Sequence, residues 1–377
     1  MTLQITSGSK AIAWTAANCG IEVVAAYPIT PSTVIPEELS RIQPEHGYEF
    51  IPVESELSAI SAVIGASAAG TRAFTATSSQ GLLLMTEALY NASGMRLPIV
   101  MVVANRAIGG PLNIWNDWSD AMALRDSGWI QLFCKNKQEA VDTLVQSFQI
   151  AEQTDVPVMV CFEGFYLTHE VSPVEIPDKE KCLSLLPPRK PKHTLDPANP
   201  ELIGAFAGPA YFQKYKQEQL AEFNNSMPAI EKAAQDFENK FGRKQIPLIE
   251  ETSLQDADYA VFTMSSLAET TEELVETLRT QGKKIGTLRL KCFRPFPKKL
   301  VAAALKNKKG VVVIEKDASS NDQGSLSHDL KEALYENNVQ LPVLSCVCGL
   351  GGKDVRQKDI ERAITELAQG KTETIWL

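Results

Sequence analysis

Apolar and polar positions along the chain fall into two alternating rhythms. Residues 7–18 carry Ala11, Ile12, Trp14 and Ala16 at helical spacing and stop at Gly20, a residue suited to the left-handed turn that ends a helix. Residues 23–26 are a short run of small and β-branched apolar side chains closed by Tyr27-Pro28, which predicts a buried strand. The pair then repeats. A strand is predicted over 50–53 and a helix from about residue 54 through Ser58, Ala62 and Ala66, closed by Gly70. Strand 72–76, helix 82–92 and strand 98–103 follow; after a long loop come helix 137–153 and strand 156–162. Strands that are apolar throughout are buried on both faces. The alternation therefore predicts a doubly wound parallel sheet with helices on each side, an α/β domain over residues 1–185.

The rhythm breaks over residues 186–252. Pro187, Pro188, Pro191, Pro197 and Pro200 forbid regular structure, and the charged, weakly amphipathic stretch 211–241 predicts one or two surface helices. Such a connector is either an arm that packs on a neighbour or a solvated face. Over 253–377 the α/β pattern returns, with strands at 259–263, 284–290, 310–315 and 341–344 and helices at 269–279, 298–305 and 325–335. Gly349-Leu350-Gly351-Gly352 superficially suggests a phosphate loop. A dinucleotide fingerprint follows the first strand of a βαβ unit, however, and this run lies near the end, so it reads as a turn.

Composition narrows the classes. With 377 residues, 44% of them apolar and 22% charged, the chain has the make-up of a globular protein with two cores. No apolar run approaches the roughly 18 residues of a spanning helix, and the N-terminus lacks a basic-then-apolar leader, so no membrane and a cytoplasmic location are expected. A net charge of -9 argues against a nucleic-acid partner. Seven scattered cysteines fit reduced thiols; without the two- and three-residue gaps of cluster ligands they predict no iron-sulfur cluster on this chain. Four widely separated histidines give no metal constellation.

Two stretches carry candidate chemistry. In Ala26-Tyr27-Pro28-Ile29-Thr30-Pro31-Ser32-Thr33, Pro31 suits the first helical position with Thr30 as cap, which puts Thr30 at the carboxyl end of a strand. Val53-Glu54-Ser55-Glu56 repeats that geometry one strand later. On their own, acidic residues in a first helical turn merely suit the helix dipole. Arg106, after strand 98–103, suits the paired hydrogen bonds a carboxylate prefers, though a lone arginine is more often a structural ion-pair partner.

The string Tyr27-Pro28-Ile29-Thr30-Pro31-Ser32-Thr33 resembles the signature of the α subunits of 2-oxoacid:ferredoxin oxidoreductases, those acting on pyruvate most closely. The resemblance extends to Ser55-Glu56-Leu57-Ser58-Ala59, to Val103-Ala104-Asn105-Arg106-Ala107 and to the loop 109–120. Further on it takes in Leu195-Asp196-Pro197 and Phe293-Arg294-Pro295-Phe296-Pro297. It implies a thiamine pyrophosphate pyrimidine-type domain followed by a transketolase C-terminal-like domain. Glu56 is the implied carboxyl on the cofactor's aminopyrimidine ring, which promotes removal of the thiazolium proton, with Pro28 and Ile29 beside the cofactor. Thr30 and Arg106 are implied to hold the 2-oxoacid carboxylate, and Asn113, Trp115, Asn116 and Asp117 to shape the pocket. Trp118 departs from the family's pattern, which bears on the acid accepted.

Gly-Asp-Gly, which anchors the diphosphate through Mg²⁺ in thiamine enzymes, is absent from the sequence. The chain is therefore expected to supply only the pyrimidine side, with a β subunit supplying Mg²⁺ and the diphosphate side, and γ and δ subunits the iron-sulfur clusters. The implied reaction converts pyruvate and coenzyme A to acetyl-CoA, carbon dioxide and reduced ferredoxin. A branched-chain 2-oxoacid, 2-oxoglutarate or oxalate is an alternative substrate, and a non-catalytic scaffold the alternative of another class. No coenzyme A site and no metal site are expected on this chain.

Overall fold

The computed structural model describes residues 1–319 and 322–377. Fifteen strands occur among the described residues: β1 Thr2–Ser7, β2 Val23–Ala26, β3 Glu49–Pro52, β4 Ala73–Thr77, β5 Val100–Asn105, β6 Ile130–Phe133, β7 Val158–Glu163 and β8 Val171–Ile176. They continue with β9 Ile249–Thr252, β10 Tyr259–Met264, β11 Ile285–Leu290, β12 Cys292–Arg294, β13 Gly310–Glu315, β14 Val343–Val347 and β15 Ile375–Trp376. The first sheet has the order β12-β6-β7-β5-β4-β2-β3 and is parallel apart from β12. Chain order reverses between β2 and β4, so the crevice of a doubly wound sheet opens there, at the carboxyl ends of these strands.

β4, β5 and β7 are buried along their whole length, in keeping with their predominantly apolar runs. Helix Lys137–Thr154 covers one face together with Gly8–Asn18; Glu56–Ala68 and Thr86–Gly94 cover the other. The second sheet has the order β15-β14-β13-β10-β11-β9, with β9 antiparallel on its edge. β1 and β8 form a separate antiparallel ribbon.

Several sequence expectations shift. Residues 249–252, assigned to the connector, form β9 of the second sheet, while residues 292–294, assigned to the C-terminal domain, form β12 of the first. The chain thus crosses between these sheets three times, to β9, back to β12 and again to β13. Helix Val34–His46 begins at Val34, with Thr33 in the cap position; Thr30 is not its cap and Pro31 lies in the turn before it. The helix expected over 82–92 is two, Ser79–Leu84 and Thr86–Gly94, meeting at Met85. The stretch 211–241 folds as Pro209–Asn224 and Met227–Phe241; the second buries Ile230, Ala233, Ala234 and Phe237. All seven thiols are buried and unpaired. Among the described residues no helix is long and apolar enough to cross a membrane.

The two sheets are joined by apolar and ionic contacts. Trp118, Phe133, Phe293 and Phe296 follow one another edge to face with ring centroids 6.3, 6.0 and 6.3 Å apart. Glu139, at the start of helix Lys137–Thr154, accepts two hydrogen bonds of 2.9 Å from the buried Arg289 guanidinium on β11, which also reaches Glu250 at 2.7 Å. Burial works to raise the Glu139 pKa, but the Arg289 and Lys291 charges overcome it and hold the carboxyl down at about 2.

Arg289→Met strands Glu139 and is expected to cost about 3–5 kcal/mol, the penalty for breaking a buried pair. A glutamate in an unfolded chain titrates near 4.3, so the contribution of Glu139 is complete above about pH 4.3 and is lost as pH falls through its folded value. Melting temperature measured across that window should fall more steeply for the wild type than for Glu139→Gln. Parallel curves would remove the claim.

Candidate active site

The carboxyl edge of the first sheet is organised by Asp120, which is wholly buried. One of its oxygens accepts from the Asn105 side-chain amide and the Ala121 backbone N–H, each at 2.8 Å. The other accepts from the backbone N–H of Ser79 at 2.9 Å and of Arg106 at 3.0 Å. Burial pushes its pKa up to about 6, while these donors pull the other way. Above that value it is ionised and all four N–H groups point at a full charge, the arrangement in which such bonds are strongest. Ser79, with φ of 50°, is held in the left-handed region, and its hydroxyl donates to the Ala107 carbonyl at 2.5 Å.

Arg106 lies just beyond β5. Its buried guanidinium donates to the Thr30 carbonyl at 2.8 Å, to Gln80 Oε1 at 3.0 Å and to the Asn113 carbonyl at 3.1 Å. Three segments named from sequence thus meet on one side chain. The Thr30 hydroxyl is exposed and has no hydrogen-bond partner among the described residues. Pro28 is exposed and Ile29 half-buried, both on the segment leaving β2.

Glu56 is the first residue of helix Glu56–Ala68, whose cap is Ser55, bonded to the Ser58 N–H at 3.2 Å. Glu54, one residue before that cap, instead accepts from the Ser58 hydroxyl. Glu56 is only 7% exposed, yet its carboxylate has no hydrogen-bond partner among the described residues. It lies against Gly81: a Cβ there would fall 2.5 Å from Glu56 Oε1 and 2.7 Å from Thr77 Oγ1. Thr77 Oγ1 and Ser78 Oγ are themselves buried without a partner. Because Gln80 holds Arg106 and Gly81 faces Glu56, the carboxylate and the guanidinium touch consecutive residues after β4. Buried polar atoms left unpaired around a glycine cradle fit a planar ligand that brings its own donors.

The loop after Arg106 faces two ways. Asn113 and Trp115 line its outer turn, where Trp115 is half-exposed and packs on Phe165 at 4.6 Å between ring centroids. Asn116 and Asp117 point inward and are buried. Asn116 donates to Glu163 Oε2 at 2.5 Å, and Asp117, raised by its burial, caps Ser119 and accepts from the Gly351 N–H at 3.1 Å. Trp118 is a core residue whose indole donates to Glu163 Oε1 at 3.2 Å, so its departure from the family pattern lies behind the pocket. Burial acts to raise the pKa of Glu163, at the end of β7, but Lys316 beyond β13 lies 2.7 Å away and holds it lowered.

Sequence reasoning missed Asp120, Glu163, Gln80 and Lys316. One carried a signal, since Glu163 is a lone charge closing an otherwise apolar strand.

Two family models match the chain. Residues 15–235 match the thiamine diphosphate-binding domain of pyruvate flavodoxin/ferredoxin oxidoreductase, and residues 257–360 match core domain II of pyruvate:ferredoxin oxidoreductase. The chain belongs to this family. It is 44% identical to pyruvate synthase subunit PorA of Methanosarcina barkeri, over 96% of this chain and 92% of that one. Identity to the Pyrococcus abyssi subunit of the same name is 43%, over 98% and 95%. The ketoisovalerate oxidoreductase subunit VorA of Pyrococcus abyssi is 40% identical over 96% and 92%. Among solved structures, the 2-oxoglutarate:ferredoxin oxidoreductase of Magnetococcus marinus shares the fold, with a TM-score of 0.77 at 22% identity. The match covers 97% of this chain and 65% of that one.

Asp120→Asn turns an amide N–H₂ against at least one of the four donors. The expected loss is about 1–3 kcal/mol, the cost of an unsatisfied buried donor, read as a lowered melting temperature at pH 7.5. An unchanged melting temperature would show that Asp120 does not hold this edge.

Proposed function

We propose that this chain is the α-type subunit of a pyruvate:ferredoxin oxidoreductase. The reaction decarboxylates pyruvate oxidatively with coenzyme A, giving acetyl-CoA, carbon dioxide and reduced ferredoxin. The observation that carries the reading is the buried, unpartnered Glu56 carboxylate on the same strand edge as Arg106 and the free Thr30 hydroxyl. It occurs in a chain 44% identical to a pyruvate synthase subunit.

Bound thiamine diphosphate supplies the electron sink that decarboxylation requires. Glu56 would hold the aminopyrimidine ring through a hydrogen bond to its carboxylate, the position from which a carboxyl group assists proton transfer. Pro28 and Ile29, on the segment leaving β2, would border the ring. Arg106, already aimed by three acceptors, presents its remaining N–H groups to the substrate carboxylate, and the Thr30 hydroxyl adds a donor. Asn113 and Trp115 border the pocket, while Asn116 and Asp117 anchor the loop that carries them.

The diphosphate side, with Mg²⁺, belongs to a β subunit, and γ- and δ-type subunits carry electrons through iron-sulfur clusters to ferredoxin. The PorA names, each that of a subunit, support a heteromeric enzyme. We place it in the cytoplasm, and assign residues 1–185 to the pyrimidine side, 186–252 to an arm and 253–377 to a supporting α/β domain. A branched-chain 2-oxoacid is the second reading, because a ketoisovalerate oxidoreductase subunit is 40% identical.

The test is pyruvate-dependent reduction of a low-potential dye by the native complex with thiamine diphosphate and coenzyme A. Glu56→Gln should lower turnover about 10²- to 10⁴-fold, the range for a lost acid–base group. Gly81→Ala, whose Cβ displaces the Glu56 carboxylate, should weaken thiamine diphosphate binding about tenfold or more with little change in melting temperature. Activity with ketoisovalerate and none with pyruvate would transfer the assignment to the second reading. Inactivity with every 2-oxoacid would favour a scaffold.

A further inference from the structure

The second α/β unit supplies none of Thr30, Glu56 or Arg106, yet it grips the loop that follows Arg106 at both ends. At the inner end, Lys316 accepts the Trp118 N–H on its carbonyl at 2.9 Å and donates through Nζ to Glu163 at 2.7 Å. Glu163 in turn holds the Asn116 amide and the Trp118 indole. The ammonium also lies 5.6 Å from the centre of the Tyr166 ring, beside Phe165, which packs on Trp115.

At the outer end stands the turn 349–352. Gly349, Gly351 and Gly352 have φ of 65°, 56° and 82°, so the turn follows a path other residues resist. Its purpose is close approach. A Cβ at Gly351 would fall 2.4 Å from Asn113 Nδ2, and one at Gly352 would fall 2.5 Å from Trp115 Cβ. The Gly351 N–H donates to Asp117 at 3.1 Å and its carbonyl accepts from Asn113 at 3.1 Å. The same Asn113 offers its own carbonyl to Arg106 Nε.

We propose that Lys316 and the 349–352 turn position the loop 107–118 against Arg106, so that the second unit helps set which 2-oxoacid the pocket accepts. Lys316 is then a positioning residue, acting through Glu163 and the loop. The proposal rests on the 2-oxoacid reading above and adds the source of its selectivity. A loop clamped between Arg106 and a separate unit moves the guanidinium when the clamp moves, and a displacement of about 1 Å at a binding group costs up to about a hundredfold.

The experiment compares Lys316→Met, Lys316→Arg and the double variant Glu163→Gln/Lys316→Met in the native complex. The double variant removes both charges together, so no buried charge is stranded and folding is preserved where Lys316→Met alone fails. Expected for the double variant are a KM for the 2-oxoacid raised about tenfold or more, kcat near wild type, and a changed ratio of kcat/KM for pyruvate over ketoisovalerate. Thiamine diphosphate affinity should stay unchanged, and Lys316→Arg should recover most of the loss.

Hydrogen exchange gives a readout independent of turnover: the amides of Ala107 and Trp118 should lose protection in the double variant. Wild-type KM and selectivity with only a lowered melting temperature would overturn the proposal and leave Lys316 a stability residue. If the wild type turns over no 2-oxoacid, the functional reading fails separately. Unchanged exchange at Ala107 and Trp118 would then overturn the clamp as well.

Discussion

A carboxylate with no exposed surface is tolerated only where donors surround it, and Asp120 meets that condition with four N–H groups drawn from three separate segments. One donor follows β4, two belong to the end of β5 and its first following residue, and one belongs to the short helix that Asp120 itself begins to turn. Satisfying all four forces the loop after Arg106 to leave the sheet and come back to it by residue 120. It also fixes Ser79 in a left-handed conformation, which aims Gln80 at Arg106 and Gly81 at Glu56. The placement of the candidate chemistry follows from this one buried charge.

The second α/β unit enters through two more buried pairs, Glu163 with Lys316 and Glu139 with Arg289. The first joins the end of β7, and the second the start of helix Lys137–Thr154, to the second unit. β12 makes the joint hard to open, since it follows β11 of the second sheet in the chain yet pairs on the edge of the first. Buried ion pairs add little net stability against apolar replacements of the same shape, but they are exacting about geometry. At the carboxyl edge, geometry is what a substrate pocket needs, and the apolar ring series from Trp118 to Phe296 supplies the cohesion.

What could be read from the sequence divides along physical lines. Strands β2, β4, β5, β7, β10, β11 and β13 were legible because burial on both faces leaves a predominantly apolar run, interrupted only where a buried polar side chain such as Thr75 or Arg289 finds a partner. β6 and β12 were not, since strands of four and three residues inside long loops lack enough pattern to stand out, and an edge strand such as β9 needs burial on only part of its surface. The cap expected at Thr30 failed because Thr-Pro also suits a turn, and here the turn is held by the Thr30 carbonyl on Arg106, 76 residues further along the chain. Glu56, Thr30 and Arg106 were legible as a set through their motifs. Asp120 and Lys316 were not, and Glu163 showed only as a charge closing β7, because their roles depend on partners brought close only by the fold.

The buried charges of the carboxyl edge fall into two groups. Asp120, Glu163, Lys316 and Arg106 are all paired within the chain. Glu56, only 7% exposed, has no hydrogen-bond partner among the described residues, and neither have the buried hydroxyls of Thr77 and Ser78. A carboxylate given no donor by its own chain is where an incoming N–H adds a charge-assisted bond, and Gly81 keeps open the space beside Glu56 Oε1 through which that donor reaches it.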